Sequence, residues 1–444
     1  MSRARLAALL AFGLLVRLAG LWQWGTYDTE VQKAWAFRAA DAGVRDIYGP
    51  PDGALLARAR AYGHAPLERF PRTEFEWQGA KYFVDYPPGS VLVLWAAGKL
   101  WSLVHEEMPN RAGFNAAINL APLLASVAIA WMLGRSAPGY PGLRRALLFW
   151  LNPAVLLAVP YLGYQDTIFG AFALAALLAL VERRYAWAAA LVVAAGLFKP
   201  QGALLLPTLA VVTLRESPLR TWLRCLLAGV AVAALILLPW WSQGYLLSAL
   251  DGCRRPLTQT TLAPLGLNAW WIAGYALTRA TQGGWPLAPI VSIDAFQAWA
   301  GLDPRLVARV LLLFATLINM VLLARAPHED RRFIPLSVVL QVHAYALLAT
   351  SVHENHTFLA VMLLPLLVGV WPHALRALAL TSAFLFASLF FAAGFGRHVT
   401  RLRFVEAVKL STVVDLSVIV AALHVVLVVL LFAWVARTRP EAGP

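Results

Sequence analysis

The sequence predicts an all-α polytopic membrane protein, and three observations support this prediction. Of the 444 residues, 60% are hydrophobic and only 14% are charged, whereas soluble globular chains are about half apolar and about one quarter charged. The basic residues stand between apolar stretches. Several uncharged stretches have the roughly 20 residues of helix that cross a hydrocarbon core about 30 Å thick. These stretches are 112–134, 225–250, 333–352, 377–396 and Leu416–Ala436.

This composition excludes a soluble enzyme, a disordered protein and a secreted disulfide scaffold. The formal net charge of +14 agrees with cytoplasmic loops that carry excess Lys and Arg. Because the basic residues form no single patch, we predict no binding to nucleic acid. The two cysteines, Cys225 and Cys253, stand at the start of an apolar stretch and in a loop, so we predict no disulfide framework.

The first helix is expected over 4–24. Arg3 and Arg5 precede it and no small-residue cleavage site follows, which indicates an uncleaved span. Residues 25–86 then form a long polar insertion that holds nine of the 23 acidic residues. We interpret it as the first outer loop, and the helical spacing of Val31, Trp35 and Ala39 predicts amphipathic helices within it.

Segment 86–104 has two interpretations. If it crosses the membrane completely, several basic loops fall outside the cytoplasm; if it is a half-inserted or interfacial helix, the same loops fall inside. The positive-inside rule favours the half-inserted helix. With the first helix, the sequence then predicts about twelve transmembrane helices (11–13), both termini cytoplasmic, in one integral membrane domain over 1–444. The remaining spans are 112–134, 144–160, 164–181, 185–198, 200–214, 223–241, 305–324, 333–352, 356–371, 374–395 and 411–436, with a second large outer loop at 242–304.

Polar residues from five distant stretches reach the outer side in this arrangement. Ionisable groups at membrane depth cost roughly 2.5–3.5 kcal/mol each on insertion scales, so their convergence indicates a functional cavity. The candidates are Asp28 and Glu30 after the first span, Tyr86 at the end of the insertion, Gln165 and Asp166, Lys199 and Gln201, and the turn of His353, Glu354 and His356.

Each candidate also has a purely structural explanation. Asp28 and Asp166 are suited to helix capping, Lys199 to snorkelling toward the interface, and the turn at His353 to a solvated loop. Arg17, near the outer end of the first helix, has two explanations, snorkelling or contact with a carrier phosphate. The intramembrane histidines His343 and His424 are expected to be hydrogen-bonded packing residues.

Together, the candidates suit transfer chemistry on an anionic substrate. A carboxylate acts as general base toward a hydroxyl, and Lys and His cations stabilise a departing phosphate. We expect a metal-independent reaction without a cofactor, because His353 and His356 are only three positions apart and no Asp-x-Asp motif is present. Ligation of a metal by this His/Glu turn is the alternative.

At these residues the sequence resembles the GT-C superfamily of polytopic glycosyltransferases. It looks most like bacterial relatives of the mannosyltransferases of glycosylphosphatidylinositol assembly and the glucosyltransferases of asparagine-linked glycan assembly. The resemblance covers roughly 10–370, and its short motifs occur in family order. They are Tyr27-Asp28 with Trp35, Asp85-Tyr86-Pro87-Pro88, Leu151-Asn152-Pro153, Gly163-Tyr164-Gln165-Asp166, Phe198-Lys199-Pro200-Gln201, Asn268-Ala269-Trp270 and Val352-His353-Glu354-Asn355-His356.

The resemblance implies a transferase at the cell membrane that moves a hexose, mannose or glucose, from a polyprenyl-phosphate donor. Its acceptor would be a hydroxyl of a glycan, glycolipid or protein on the non-cytoplasmic side. The reaction would invert the configuration at the anomeric carbon. Asp28 occupies the position of the catalytic base, and His353 and Glu354 match the turn that contacts the donor phosphate. Lys199 and Gln201 match a motif on the donor side. Gln165 and Asp166 match a motif at the edge of the cavity.

One departure from the family pattern concerns the donor phosphate. Asn355-His356 stands where relatives often carry Arg-Tyr or Lys, and His356 is the candidate to replace that cation. Two other functions compete with the transferase. A transporter or flippase for a lipid-linked sugar predicts an inverted repeat and polar groups at the midplane, and neither is apparent. A non-catalytic assembly scaffold predicts that Asp28 and His353 tolerate substitution.

Overall fold

The computed structural model describes residues 3–48, 53–64, 75–77, 80–82, 84, 86–254, 260–283, 290–395 and 416–438. Asp85 of the predicted motif and 411–415 of the last predicted span lie outside these residues. A short antiparallel pair, β1 (Phe75–Trp77) and β2 (Ala80–Tyr82), accompanies the helices. The helices before residue 200 are α1 (Arg3–Gly20), α2 (Tyr27–Asp41), α3 (Gly53–Ala61), α4 (Pro88–Ser102), α5 (Ala112–Arg135), α6 (Tyr140–Trp150), α7 (Pro153–Tyr161), α8 (Asp166–Val181) and α9 (Tyr185–Phe198).

The second half of the chain begins with a 3-10 turn, Pro200–Leu205, and is again helical in the described residues. Proline explains several interruptions, since it removes a backbone donor and disfavours helix at the residue before it. The helices are α10 (Leu206–Glu216), α11 (Leu219–Trp241), α12 (Leu246–Arg254), α13 (Ala269–Gln282), α14 (Ile293–Ala300), α15 (Pro304–Arg325), α16 (Phe333–Leu348), α17 (Phe358–Leu363), α18 (Ala374–Phe395) and α19 (Leu416–Ala436).

The predicted fold class, an all-α polytopic membrane protein, is confirmed. Within the described residues five helices are long and apolar enough to cross a membrane, namely α5, α11, α15, α18 and α19. A sixth span results if α6 and α7, bent by 47°, are counted together. The other predicted spans coincide with shorter helices, among them α8, α9 and α16. The total of about twelve crossings therefore stays a prediction.

The described part of the predicted first outer loop packs against the bundle. Helix α2 forms as its spacing predicts, but it is buried all round from Gln32 to Ala40 because α4 and α5 cover it. Gly98 of α4 lets the two backbones meet: a Cβ at this position would come within 3 Å of Ala36 and Ala40. Helix α4 has 15 residues and is about 22 Å long, a length similar to that of α8, α9 and α16, so the half-inserted interpretation of 86–104 stays a prediction.

Three hydrophobic cores are present in the described residues. The largest unites α5 to α10 with α16 to α19. A second joins α2, α3 and α4 to the beginning of α5 and to Trp240. The third contains Leu262, Trp270, Trp271 and Phe296 of the second outer loop. The second and third cores thus pack the described parts of both predicted outer loops against neighbouring helices.

Arg17 is neither at an interface nor available to a phosphate. Its side chain is fully buried, and its Nη1 donates to the carbonyl oxygens of Gly13 at 3.0 Å and Trp150 at 2.8 Å. The guanidinium lies 3.8 Å from the centre of the Trp150 ring. Both explanations from the sequence are wrong here, because α6 ends beside α1 and the carbonyl group of its last residue, Trp150, binds the guanidinium.

Candidate functional site

Asp28 reaches the site because two glycine turns bring the start of α2 against the turn before α8. Gly25 and Gly163 have φ of +68° and +75°, a conformation that side chains disfavour, and a Cβ at either would collide with Thr29. The Thr26 amide donates to Leu162 O at 3.1 Å. Thr26 is the N-cap residue of α2, so Asp28 is not the cap but lies in the first helical turn, where a carboxylate is near the positive end of the helix dipole. Asp28 is exposed to solvent.

Lys199 and Asp166 form an ion pair in a cleft. Helix α9 ends at Phe198, and Lys199 is extended (φ −154°, ψ 132°) ahead of Pro200. Its Nζ lies 2.7 Å from Asp166 Oδ1, and Asn355 Nδ2 donates to the other carboxylate oxygen at 3.0 Å. Asp166 is therefore more than a helix cap, and Lys199 binds within the protein instead of snorkelling.

The turn between α16 and α17 contributes His353 and Glu354. It is shaped by Ser351, whose φ is +60° and whose amide and hydroxyl groups donate to Leu262 O and Thr261 O of the second outer loop. Glu354 is buried and accepts a short hydrogen bond from the Tyr164 hydroxyl. Its other oxygen, Oε2, lies 3.9 Å from Nδ1 of His353, which is 38% exposed. The turn is thus a packed structure and not a solvated loop.

His356 and Gln201 bind each other behind these groups. The Gln201 amide Nε2 donates to His356 Nε2 at 2.8 Å, and the Tyr345 ring stacks on the imidazole with ring centres 5.6 Å apart. An imidazole nitrogen that accepts a hydrogen bond is unprotonated, so this contact holds His356 neutral. The expectation that His356 replaces a cation does not fit this arrangement, and we assign it a positioning role toward His353, 5.7 Å away between ring centres.

The predicted base, lysine and imidazole share one electrostatic environment. Removal from water and the charge of Glu354 raise the pKa of Asp28, while His353 and Lys199 act in the opposite direction and Asp166 raises it further. Burial also raises the pKa of Glu354. Partial removal from water lowers the pKa of His353, against the effect of Asp28. Asp28 and His353, which are far apart in sequence, therefore affect each other's protonation.

Three other predicted residues lie at the edge of the site or beside it. Glu30 is turned away: it binds buried Lys33 at 3.0 Å and Asn110 at 2.8 Å, which is a structural role. Tyr86 lines the cleft of Lys199, with its ring 5.1 Å from that of Trp35. Gln165 lines the same cleft and donates to Gln32 Oε1 at 3.1 Å.

Our site prediction omitted Tyr164, Asn355, Gln32 and Tyr345, all of which contact site residues. Tyr164 and Asn355 stand inside the motifs that the sequence resemblance is based on, so their position in those motifs was a usable signal. Gln32 and Tyr345 are in helices α2 and α16, and no local pattern distinguishes them from packing residues. Among the described residues, no group of three or more His, Cys, Asp or Glu could hold a metal ion.

Asn268 ties the second outer loop to the turn of His353. Its Oδ1 accepts from the amides of Trp270 and Trp271 at 3.0 and 3.1 Å, and its Nδ2 donates to Ala349 O at 3.1 Å. Trp270 Nε1 adds a bond to Leu348 O at 2.7 Å. Asn268 is therefore the N-cap of α13 and also a partner for the carbonyl group of Ala349, the C-cap residue of α16.

Replacing Asn268 by Ala is expected to lower the free energy of unfolding by about 1–2 kcal/mol, because the α13 cap is lost. Asn268→Asp keeps an acceptor for both amides but has no N–H for Ala349 O. We expect Asp to restore most of the thermal stability in detergent. The activity of the site should stay reduced in both variants, because the turn of His353 loosens. Full activity in Asn268→Ala would contradict the positioning role.

The chain is similar to two solved structures of ArnT from Cupriavidus metallidurans. One is bound to undecaprenyl phosphate and the other is in the apo state. The identity is 15% in both cases, over 98% of this chain and 77% and 76% of the ArnT chains, with TM-scores of 0.48 and 0.45. No protein family model and no curated protein matches the chain.

Proposed function

We propose that this protein is a membrane glycosyltransferase of the GT-C type. It transfers a hexose, mannose or glucose, from a polyprenyl-phosphate donor to a hydroxyl acceptor on the non-cytoplasmic side of the cell membrane. The main support is that separate parts of the chain bring Lys199, paired with Asp166, and His353, beside buried Glu354, close enough to Asp28 for their charges to act on its carboxylate. A base beside cationic groups is the minimum that displacement of a lipid phosphate by a hydroxyl requires.

Asp28 acts as the general base in this proposal. Its carboxylate is open to solvent, so an acceptor hydroxyl can reach it. Partial removal from water and the charge of Glu354 raise its pKa, and a higher pKa strengthens the carboxylate as a proton acceptor. The attacking oxygen forms the new bond to the anomeric carbon, its proton passes to Asp28, and the bond to the phosphate oxygen breaks with inversion.

Lys199 and His353 hold the leaving phosphate. Lys199 is 20% exposed and directs its ammonium group into the cleft, where Asp166, itself bound by Asn355, holds it in place. Glu354, hydrogen-bonded to Tyr164, orients His353, and His356 with Gln201 packs behind it. These groups supply charge and hydrogen bonds to the phosphate directly, so the proposal includes no metal or other cofactor.

Donor binding should take up protons. The site contains the carboxylates of Asp28, Asp166 and Glu354 but a single lysine, and an incoming phosphate raises the pKa of neighbouring groups. His353, with its lowered pKa, and Glu354, with its raised pKa, then bind protons more strongly than in the empty site. Calorimetric titration with a polyprenyl-phosphate sugar in buffers of different ionisation enthalpy measures this uptake.

The donor is a phosphodiester without a second ionisation of its own near neutral pH, so the protons taken up belong to the protein. Glu354→Gln, which keeps an acceptor for Tyr164, should reduce the uptake. Binding without any proton uptake in the unaltered protein would contradict the assignment of His353 and Glu354 to the phosphate.

Reconstitution tests the function itself. Proteoliposomes with the purified protein receive labelled polyprenyl-phosphate mannose or glucose together with a membrane extract that supplies acceptors. A transferase forms a new labelled product, also in the presence of EDTA, whereas a flippase moves the unchanged donor between leaflets. Labelling of a cysteine placed at His353, after replacement of Cys225 and Cys253, by an impermeant reagent tests the side of the membrane. Movement without product would overturn the proposal.

A further inference from the structure

A second cavity lies away from the candidate site, between α1, α6, α7 and α18. It has a volume of about 810 Å³. Its walls are largely apolar and include Leu9, Leu147, Leu151, Leu378, Ala383 and Phe386. It opens to the outside of the bundle, since Phe386 and Leu375 at its border are 40% and 41% exposed. An apolar groove on the outer surface of a membrane bundle faces lipid chains.

The length of the groove along α6 is close to the thickness of the hydrocarbon layer of one bilayer leaflet. Along α6 it extends from Tyr140 to Leu151, which is about 16 Å at 1.5 Å per residue. Half of a hydrocarbon core is about 15 Å. Helix α6 starts at the end of the bundle where α5 finishes at Arg135, and α7 and the turn at Gly163 separate the groove from Asp166. The groove therefore belongs to the leaflet opposite the candidate site.

The two ends of the groove differ in polarity. One end of the groove, called the mouth here, is formed by Arg144 and Tyr140 near the start of α6. Both residues are exposed, Tyr140 to 59%. Neighbouring Arg145 is buried, and its guanidinium donates to Val368 O and to Ser136, which anchors this corner of the bundle. At the deep end, Asn152 Nδ2 donates to Ser382 Oγ at 2.7 Å. The deep end therefore offers no strong polar site, whereas the mouth offers a cation.

We propose that this groove binds an anionic phospholipid. One acyl chain fills the apolar walls along α6 and α18, and the phosphate headgroup lies against Arg144 and Tyr140 at the mouth. Arg144 supplies the selectivity for negative charge, and the length of the groove selects a single chain of one leaflet. The polyprenyl donor is a poor fit, because its phosphate has to reach Lys199 near the other leaflet. This exclusion of the donor rests on the proposed function, whereas the binding of an anionic lipid at Arg144 does not.

Native mass spectrometry of protein equilibrated with phosphatidylglycerol or phosphatidylcholine tests this binding. We expect the unaltered protein to retain phosphatidylglycerol about fivefold better, the ratio for one basic residue near a membrane surface. Arg144→Gln should remove the preference without lowering retention of phosphatidylcholine. Arg135→Gln is the matched control, because this arginine is at the same end of the bundle but lies against Trp131.

Filling the groove should expel both lipids. Ala383→Trp is expected to abolish retention of both lipids. Ala379→Phe is a smaller change on the same wall; it is expected to weaken retention and to leave the Tm close to that of the unaltered protein. Three results would overturn the proposal: equal retention of the two lipids, an unchanged preference in Arg144→Gln, or displacement of phosphatidylglycerol by polyprenyl phosphate, which would assign the groove to the donor.

Discussion

Asp28→Asn is expected to lower kcat for sugar transfer by about 10²–10⁴-fold, the range for a positioned general base. The amide keeps the size of the side chain but cannot accept the proton of the acceptor hydroxyl. Because Asp28 is exposed in the first turn of α2 and the N-cap position belongs to Thr26, the fold does not depend on its carboxylate. The KM for the donor and the Tm should therefore change little. Assays of purified protein with labelled donor measure all three quantities.

Asp41→Asn is the control within the same helix. Asp41 pairs with Arg58 at the surface, at 2.5 Å, and such pairs contribute about 0–1 kcal/mol, so this variant should behave like the unaltered protein. An Asp28→Asn protein that inserts normally and transfers sugar at the full rate would contradict the assignment of Asp28 as the general base.

The pH profile gives a second measure of the same carboxylate. A general base works in its ionised form, so activity falls as the pH is lowered through its pKa. Removal from water and Glu354 raise the pKa of Asp28, so this acidic limb should lie above the pH at which an ordinary aspartate titrates. In Asp28→Asn the residual activity should lose the limb. A limb that persists unchanged there would assign the titration to another group.

Lys199→Met is expected to have the second large effect, on stability and on donor binding together. Asp166 is only 3% exposed on its side chain, and removal of its cation leaves a buried carboxylate with Asn355 as a partner. Breaking a buried pair in this way costs about 3 kcal/mol or more. The donor phosphate also loses a charge-assisted hydrogen bond, which should raise the KM for the donor by about 10–100-fold. Thermal unfolding and donor titration separate the two effects.

The double variant Lys199→Met with Asp166→Asn is the informative comparison. Replacing both partners removes the uncompensated charge, so much of the lost stability should return. Donor affinity should not return, because the cation is still missing. If both properties recover in the double variant, the pair is structural and Lys199 has no role toward the phosphate.

Glu30 and Arg17 illustrate where reasoning from the sequence stopped. Glu30 is two positions from Asp28 and was predicted in the same site, yet Lys33 and Asn110 bind it elsewhere. On a helix, positions two apart point in different directions, so proximity in sequence was a weak guide. Arg17 was placed by its depth along α1, but its partners are carbonyl groups of α6 and of its own helix. Its partner Trp150 is 133 positions away, and no local pattern reports such a contact.

Membrane class and helix positions were readable in the amino-acid order. Apolar length, proline breaks and the placement of basic residues are local properties, and they act on each segment separately. The same counting predicted that Asp28, Lys199 and His353 reach one side of the bundle.

Which atoms then meet was settled by packing. Asp166 binds Lys199 and Asn355, Tyr164 binds Glu354, and Gln201 holds His356 neutral. These pairs depend on the turns at Gly25, Gly163 and Ser351 and on the fit of both outer loops. A buried polar group requires a partner, but its identity depends on geometry that distant segments create jointly.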